Sequence, residues 1–270
     1  FGFLEFPGLL AKEADAITDA FEAVWTAHGG GHDGRPHDHK QRSALVPFID
    51  QHEYLCGLLD DPRIEGIGSA LLGEDFNYTG SDGNYYVGDT RWHSDGYRDK
   101  KYVSLKMAFY LDPVTRYTGC LRVVPGSHRF GDEFAEALEA GYRHTRDGGA
   151  VEDWWGVPGS GVPAYPLESE PGDLVVFNHC LKHSSWGGGT RRRMFTMNMQ
   201  QRHAEEDLDA LREDIAASAR FWIERAYGEV MLRTAGPARM RHLEQRLAND
   251  GHLAALSRKA RAEMSEPSRG

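Results

Sequence analysis

The sequence has few cysteines, no long hydrophobic run and no excess of positive charge, and each shortage excludes a class of protein. The three cysteines, Cys56, Cys120 and Cys180, include no CxxC pair and are too few for a disulfide framework, which disfavours zinc-ribbon chemistry and suits a reducing compartment. No run approaches about 18 consecutive apolar residues, the length that a transmembrane helix needs. The net charge of −10 argues against nucleic-acid and anionic-membrane partners, because phosphate groups bind basic surfaces.

The composition is otherwise that of an ordinary soluble protein. Hydrophobic residues make up 40% of the chain and charged residues 27%. The first residues, FGFLEFPGLLAKEADA, show no basic region followed by an apolar core, which predicts that no signal peptide is present and that the protein is cytoplasmic. A length of 270 residues suits one domain with one core, so we expect residues 1–270 to form a single domain.

Three regions of the chain differ in their pattern. Residues 1–74 are predicted to be helical, because apolar residues recur at helical spacing between 8 and 28 and again between 51 and 73. Residues 75–202 contain short apolar or alternating runs separated by glycine, proline and aspartate, which predict the strands of a sandwich or barrel. Residues 203–268 are again predicted to be helical, with a break at Gly236 and Pro237. The predicted fold is therefore mainly β with flanking helices.

The stretch RWHSDGY places His93 and Asp95 two residues apart. On a strand, residues i and i+2 project from the same face, so these two side chains can offer a nitrogen and an oxygen ligand to one metal. A second imidazole would complete the 2-His-1-carboxylate triad that leaves open positions on Fe(II). Taken alone, an HxD pair is frequent by chance and is more often an ordinary polar pair than a site.

The second histidine has to come from another strand. The candidates are His128, His179, His183 and His203. Residues 170–200 favour His183, because a turn, a buried strand LVVF, a histidine at a strand start and a basic strand RRRMFTMN follow one another there. A histidine followed by an arginine on the next strand suits an iron site with an anionic diacid cosubstrate, since guanidinium pairs with carboxylate through two parallel hydrogen bonds.

Four motifs give the chain a family resemblance. In chain order they are WHSDG, GCLRVVPGSHR, PGDLVVFNHCLKHSS and RRRMFTMNM. With these motifs the chain resembles the phytanoyl-CoA dioxygenase (PhyH-like) family of Fe(II)/2-oxoglutarate-dependent oxygenases over roughly residues 75–202. The resemblance implies a double-stranded β-helix, a cupin-like jelly roll, with N-terminal helices and a C-terminal helical appendix.

The resemblance also implies roles for single residues. His93, Asp95 and His183 match the iron ligands, with His179 as a competitor for the last position. Arg192 matches the arginine that binds the C5 carboxylate of 2-oxoglutarate, and Arg193, on the opposite face of the strand, is the alternative. The spacing from His183 to this arginine is about two residues shorter than is usual in the family.

Further cofactor and substrate contacts follow from the same resemblance. Asn84 is expected near the C1 end of 2-oxoglutarate and Lys106 near its C5 carboxylate. Lys106 would otherwise be a solvated strand lysine, because a buried ammonium needs an anion to pair with. Tyr97 and Arg98, directly after the HxD pair, and Trp154, in the central insertion, are candidate substrate contacts.

The implied activity is hydroxylation of an unactivated C–H bond in a small molecule, a metabolite or natural-product intermediate, using Fe(II), 2-oxoglutarate and O2 and releasing succinate and CO2. The presence of Asp95 favours oxygenation over halogenation, since halogenases of this fold lack the carboxylate. Two alternatives stay open: a cupin-like metalloenzyme that uses the triad without 2-oxoglutarate, and a non-enzymatic jelly-roll binding protein. The C-terminal helices could form a homodimer interface or cover the barrel.

Overall fold

A computed structural model of the chain describes residues 1–96, 101–146 and 156–270, and for 141–146 the backbone alone. Its strands form a six-stranded sheet of order β1-β8-β5-β10-β3-β2 and a four-stranded sheet of order β4-β9-β6-β7, with antiparallel pairing throughout. The strands are β1 (Phe3–Phe6), β2 (Ser43–Leu45), β3 (Asn77–Tyr86), β4 (Thr90–His93), β5 (Ser104–Tyr110), β6 (Leu121–Val123), β7 (Tyr165–Leu167), β8 (Leu174–Asn178), β9 (His183–Ser185) and β10 (Arg192–Gln200). The predicted class, mainly β with flanking helices, is confirmed.

The six-stranded sheet separates an apolar core from a polar cavity. Side chains alternate along a strand, so the odd-numbered residues of β10 and β5 share one face and the even-numbered residues share the other. On the odd face Phe195 stacks on Phe109, with ring centroids 4.5 Å apart, and packs against Phe48 and the N-terminal helices. The even face lines a cavity between the sheets. Burial of the odd face therefore fixes which side chains the strands offer to the cavity.

The N-terminal region is less purely helical than the sequence pattern predicts. Helices α1 (Ala14–Ala27), α2 (Glu53–Cys56) and α3 (Pro62–Leu72) are present, but β1 and β2 both add strands to the six-stranded sheet. Sequence periodicity missed these strands because they are three or four residues long and lie beside glycine- and proline-rich loops. The start of α3 follows ordinary capping chemistry, because the Asp61 side chain accepts a hydrogen bond from the Arg63 amide.

The remaining helices lie in the central insertion and in the C-terminal region. They are α4 (Glu133–Arg146), α5 (Leu208–Ala216), α6 (Glu229–Thr234), α7 (Pro237–Arg241), α8 (Glu244–Ala248) and α9 (Leu253–Glu263). The predicted break at Gly236 and Pro237 separates α6 from α7, since proline opens a helix readily but does not continue one. Side chains from the segment between α5 and α9 line the cavity, so the C-terminal helices cover the barrel. Across the described ranges, no helix has both the length and the apolar character needed to cross a membrane.

Candidate metal and cosubstrate site

Two histidines face each other across neighbouring strands of the four-stranded sheet. His93 is the last residue of β4, His183 is the first of β9, and their Cα atoms are paired in register. Asp95 follows two residues after β4 ends, in a bend, so strand alternation does not place it as the sequence pattern predicts. The turn nevertheless directs the carboxylate back toward both imidazoles.

These three side chains form a compact group of potential metal ligands. Asp95 Oδ1 lies 3.7 Å from His93 Nε2, and Asp95 Oδ2 lies 3.6 Å from His183 Nε2. One ligand atom from each residue lies within 4.8 Å of the others, and within the described part of the chain no other histidine, cysteine or carboxylate group of three meets this condition. Metal–ligand bonds of about 2.0–2.2 Å place neighbouring donors roughly 3 Å apart, so the two carboxylate–imidazole distances have to shorten by less than about 1 Å around an ion.

The histidines present the correct nitrogen to the cluster. His93 Nδ1 lies 2.7 Å from the Arg91 carbonyl and His183 Nδ1 lies 2.9 Å from the Leu181 carbonyl. A carbonyl only accepts, so Nδ1 carries the hydrogen in both rings and Nε2 keeps its lone pair. In both cases the backbone carbonyl two residues earlier thus fixes the tautomer that metal binding requires.

Electrostatics favour the ligand forms of these groups. Burial, assisted by His93, lowers the pKa of His183 to about 3, so its imidazole is neutral at physiological pH. Burial alone would raise the pKa of Asp95, but the Lys106 ammonium and the neighbouring histidines hold it well below its usual value. A neutral imidazole and an ionised carboxylate are the states that bind a divalent cation.

Lys106 contacts the group of potential metal ligands directly, through Asp95. Its Nζ lies 2.8 Å from Asp95 Oδ2, and its side chain is 18% exposed. Burial by itself would lower the pKa of Lys106, but Asp95 and Asp82 raise it above its usual value. Lys106 is paired with Asn198 on β10, six residues from Arg192 and so about 20 Å along the strand. The Lys106 ammonium thus contacts Asp95, and both Lys106 and the Arg192 guanidinium act on Tyr110 from the same cavity.

Arg192 is a buried cation without a carboxylate partner among the described residues. Its side chain lines the cavity and is 6% exposed. One terminal nitrogen donates to Ser185 Oγ at 2.7 Å, whereas Nε has no hydrogen-bond partner. Gly119 and Gly188 leave room for the guanidinium, since a Cβ on either would lie 2.0 Å or 2.6 Å from its Nη1. Ser185 is a site residue that sequence reasoning missed, although its position two residues after His183 on β9 implies the same strand face.

Arg193 is excluded as the alternative by strand alternation. Its guanidinium binds Asp112, with 2.5 Å between Nη2 and Oδ1, and Glu22, with 3.0 Å between Nη1 and Oε1. These acids lie on the face of the six-stranded sheet that packs against α1, away from the cavity. A paired arginine on the wrong face cannot bind a ligand beside the metal cluster.

Asn84 supports other polar side chains and does not itself line the cavity. Its Nδ2 donates to Asp82 Oδ2 at 2.6 Å, and its Oδ1 accepts from Arg42 Nε at 2.8 Å. Asp82 and Arg42 do line the cavity, and Thr196 also donates to Asp82. Sequence reasoning missed Asp82, although the period of two along β3 places it on the same face as Asn84. The expected contact of Asn84 with the C1 end stays a prediction, and the hydrogen bonds of Asn84 give it a supporting role beside the cavity.

The other predicted residues fall into two groups. Tyr97, Arg98 and Trp154 lie outside the described residues. His179 lines the cavity, but its Nε2 is hydrogen-bonded to Asn198 Oδ1 at 3.1 Å and it is not in the metal-ligand group. The cavity itself has a volume of about 640 Å³ and extends from Arg192 past the metal cluster to the C-terminal helices.

Known proteins resemble this chain in sequence and in fold. A 2-aminoethylphosphonate dioxygenase from Uncultured bacterium HF130_AEPn_1 is 28% identical over 178 residues, covering 62% of each protein. A probable phytanoyl-CoA dioxygenase from Caenorhabditis elegans is 32% identical over 101 residues, covering 36% of this chain and 30% of that protein. The chain thus matches less than two thirds of the length of either relative.

Comparison of the folds agrees with this relationship. The crystal structure of SnoK, a non-heme alpha ketoglutarate dependent carbocyclase from nogalamycin biosynthesis, matches with a TM-score of 0.57 at 23% identity, over 78% of this chain and 86% of SnoK. The sequence model of the phytanoyl-CoA dioxygenase (PhyH) family matches residues 2–194, which include the metal-ligand group and Arg192. The predicted family is therefore confirmed, and the chain belongs to the phytanoyl-CoA dioxygenase (PhyH) family.

Proposed function

We propose that this protein is an Fe(II)- and 2-oxoglutarate-dependent oxygenase in which His93, Asp95 and His183 hold the iron. The observation that carries the proposal is the meeting of these three ligands in one cavity with a buried arginine that lacks an anion. When bound, the iron with 2-oxoglutarate and O2 supplies the oxidising chemistry that hydroxylates an unactivated C–H bond, releasing succinate and CO2. The role of the protein is to bind the reactants and orient them in the cavity between the sheets.

The residues fit the two cofactors. Three protein ligands leave open positions on the metal, as the 2-His-1-carboxylate arrangement requires. Arg192 can form a bidentate pair with the far carboxylate of a diacid, and the Ser185 hydroxyl holds the guanidinium in place for it. The glycine cradle at 119 and 188 keeps that end of the cavity wide enough for the pair.

Lys106 has a proposed role at the metal end of the cosubstrate. Its ammonium keeps Asp95 ionised and pairs with Oδ2, which would leave Oδ1 available to a metal ion. The remaining hydrogens on Nζ can donate to the carboxylate of 2-oxoglutarate that binds nearest the metal. Asp82, supported by Asn84 and Arg42, supplies a second negative charge that offsets the free-energy cost of burying the Lys106 ammonium.

The substrate is proposed to be a small molecule. The cavity volume of about 640 Å³ suits a metabolite-sized ligand. One relative is named 2-aminoethylphosphonate dioxygenase, after a small compound. We also propose that residues 1–270 act as one catalytic domain, because the N-terminal strands complete the sheet and the C-terminal helices complete the cavity. A homodimer through those helices stays a prediction.

An anaerobic Fe(II) titration with and without 2-oxoglutarate tests the proposed function. We expect about one iron per chain and a weak visible charge-transfer absorption that develops only when both are present, followed by succinate formation on admission of O2. Iron binding without that absorption and without succinate would favour the cupin-like metalloenzyme. Failure to bind iron would favour the non-enzymatic binding protein.

A substitution at Gly119 tests the cosubstrate end without removing any functional group. Gly119→Ala places a methyl group 2.0 Å from the Arg192 Nη1 atom, so the guanidinium has to move. Loss of one charge-assisted hydrogen bond costs about 1.5–3 kcal/mol, so the Kd for 2-oxoglutarate should rise by roughly tenfold or more. Equilibrium titration of 2-oxoglutarate into the iron-loaded protein measures this change.

Gly126→Ala is the matched control for this experiment. Both glycines have positive φ, +94° at Gly119 and +83° at Gly126, so alanine carries a similar backbone strain at each position. A Cβ at Gly126 meets no atom within 4 Å. We expect both variants to lose stability, Gly119→Ala more because its Cβ also lies 2.9 Å from the Gly188 Cα, and only Gly119→Ala to bind 2-oxoglutarate more weakly. Equal effects on 2-oxoglutarate binding would contradict the placement of the cosubstrate beside Arg192.

A further inference from the structure

The far end of the cavity is built by the C-terminal helices. Gln200, at the end of β10, is eight residues and so about 26 Å along the strand from Arg192. Beyond Gln200, the cavity wall is formed by residues of the C-terminal region, among them Asp214, Ile215, Ala226, Arg246 and Leu253. Three of these, Ile215, Ala226 and Leu253, are apolar and buried, so this part of the wall offers no hydrogen bonds to a ligand.

Arg246 is a buried cation without a hydrogen-bonded partner at this end of the cavity. Its side chain lines the cavity, is only 4% exposed, and has no partner for Nε. Within the described ranges it forms no ion pair or hydrogen bond, and its nearest acids act on it only at longer range. Of these acids, Asp250 accepts from Arg225 Nε and the Ala226 amide, both at 2.9 Å, and Asp214 accepts from Gln200 Nε2 at 3.0 Å.

A buried guanidinium without a contact partner is costly, so its presence needs a reason. Burial without hydrogen bonds strongly disfavours a charged group. Burial likewise lowers the pKa of Arg246 from its usual value, although Tyr227 and the two acids partly offset this. Arg122 differs, because its unpartnered Nε is accompanied by terminal nitrogens that donate to the Ser160 and Arg116 carbonyls.

Arg192 and Arg246 share the same environment at opposite ends of one cavity. Each is at least nine-tenths buried, each lines the cavity and each lacks a carboxylate in contact among the described residues. The proposed cosubstrate supplies the anion at Arg192 and cannot also reach Arg246, because 2-oxoglutarate is much shorter than the span of β10 between the two ends. Arg246 therefore needs a second anion, and the substrate is the remaining reactant that can supply one.

We propose that Arg246 binds an oxyanion of the substrate, a carboxylate, phosphonate or phosphate, and that the substrate is an acidic small molecule. This inference rests on the proposed function and deepens it by naming the substrate class. The oxyanion pairs with the guanidinium between apolar walls, where a charge-assisted hydrogen bond is stronger than in water. The body of the substrate then extends toward His93, Asp95 and His183, which places its reacting carbon near the metal ligands.

A phosphorus NMR titration with methylphosphonate tests the anion site. Zinc-loaded protein, which is diamagnetic, is titrated with and without saturating 2-oxoglutarate. We expect methylphosphonate to bind in both conditions and Arg246→Gln to weaken that binding by tenfold or more, while the Kd for 2-oxoglutarate stays unchanged. Acetate as a competitor distinguishes a carboxylate-accepting site, in which it displaces the probe, from a site selective for phosphorus oxyanions.

Arg258→Gln is the matched control, because Arg258 is exposed on α9 and the substitution changes the net charge equally. Three results would overturn the inference: wild type does not bind methylphosphonate, Arg246→Gln binds it as well as wild type does, or 2-oxoglutarate displaces it.

The melting temperature gives a second readout. Removing an uncompensated buried charge should leave it unchanged or raise it, and a fall of several degrees in Arg246→Gln would assign Arg246 a structural role instead. Methylphosphonate binding that depends on Arg246 in a protein that fails to bind 2-oxoglutarate would uphold the anion site and reject the proposed function.

Discussion

His183→Ala is expected to yield a folded protein that no longer retains iron and forms no measurable succinate. His183 is 4% exposed and supplies one of the three ligand atoms, and the other two cannot hold a divalent ion tightly by themselves. Loss of a group that only supports a metal ligand costs about 10–100-fold in affinity, and loss of a ligand costs more. Iron content after anaerobic loading and desalting, with circular dichroism to verify folding, measures the effect.

His179→Ala is the control for that variant, because His179 is the competing histidine in the same stretch of sequence. Its Nε2 is already bonded to Asn198, and its ring lies outside the ligand group. We expect this variant to retain about one iron per chain. Iron lost from His179→Ala and kept by His183→Ala would show that the ligand set has been assigned to the wrong histidine.

Arg192→Gln is expected to raise the KM for 2-oxoglutarate about 100-fold or more. The substitution removes the bidentate partner of the far carboxylate, and two charge-assisted hydrogen bonds contribute about 3 kcal/mol or more together. At saturating 2-oxoglutarate much of kcat should return, because Arg192 binds the cosubstrate and does not contact the metal. Initial rates of succinate release over a wide range of 2-oxoglutarate concentrations separate the two constants.

The neighbouring arginine provides a control of the same charge. Arg193→Gln breaks the ion pairs to Asp112 and Glu22 on the face of the sheet that packs against α1, so it should lower the melting temperature. The KM for 2-oxoglutarate should stay within about twofold of the wild-type value. The opposite result, a large rise in KM for Arg193→Gln alone, would place the cosubstrate on the other face of β10.

Much of the site follows from strand periodicity in the sequence, and the exceptions have physical causes. The period of two along β10 and β5 predicts that Arg192 and Lys106 face inward, and both line the cavity. The contact of Lys106 with the C5 carboxylate stays a prediction; its contact with Asp95 was not foreseen, because sequence gives the face of a side chain and not the direction in which a long, flexible chain extends. Asp95 reaches the cluster through a bend that strand periodicity does not describe.

Contacts between distant segments could not be predicted. Ser185 and Gly119 lie 66 residues apart and meet only because β9 and β6 are paired. Strands β1 and β2 were missed because a three- or four-residue strand is stabilised by the sheet that receives it and not by its own pattern. In the sequence, Arg246 cannot be distinguished from the other arginines of a charged helical segment. Only the fold shows that it is buried in the cavity wall.

The division of the cavity between two parts of the chain has an evolutionary consequence. The family match ends at residue 194, so the proposed iron ligands and Arg192 lie within the shared portion, whereas the wall that contains Asp214, Arg246 and Leu253 lies beyond it. The oxidising machinery can thus be inherited unchanged while the C-terminal helices diverge to admit new substrates. Exchanging residues 203–268 between members of such a family would be a direct way to transfer substrate choice without rebuilding the metal centre.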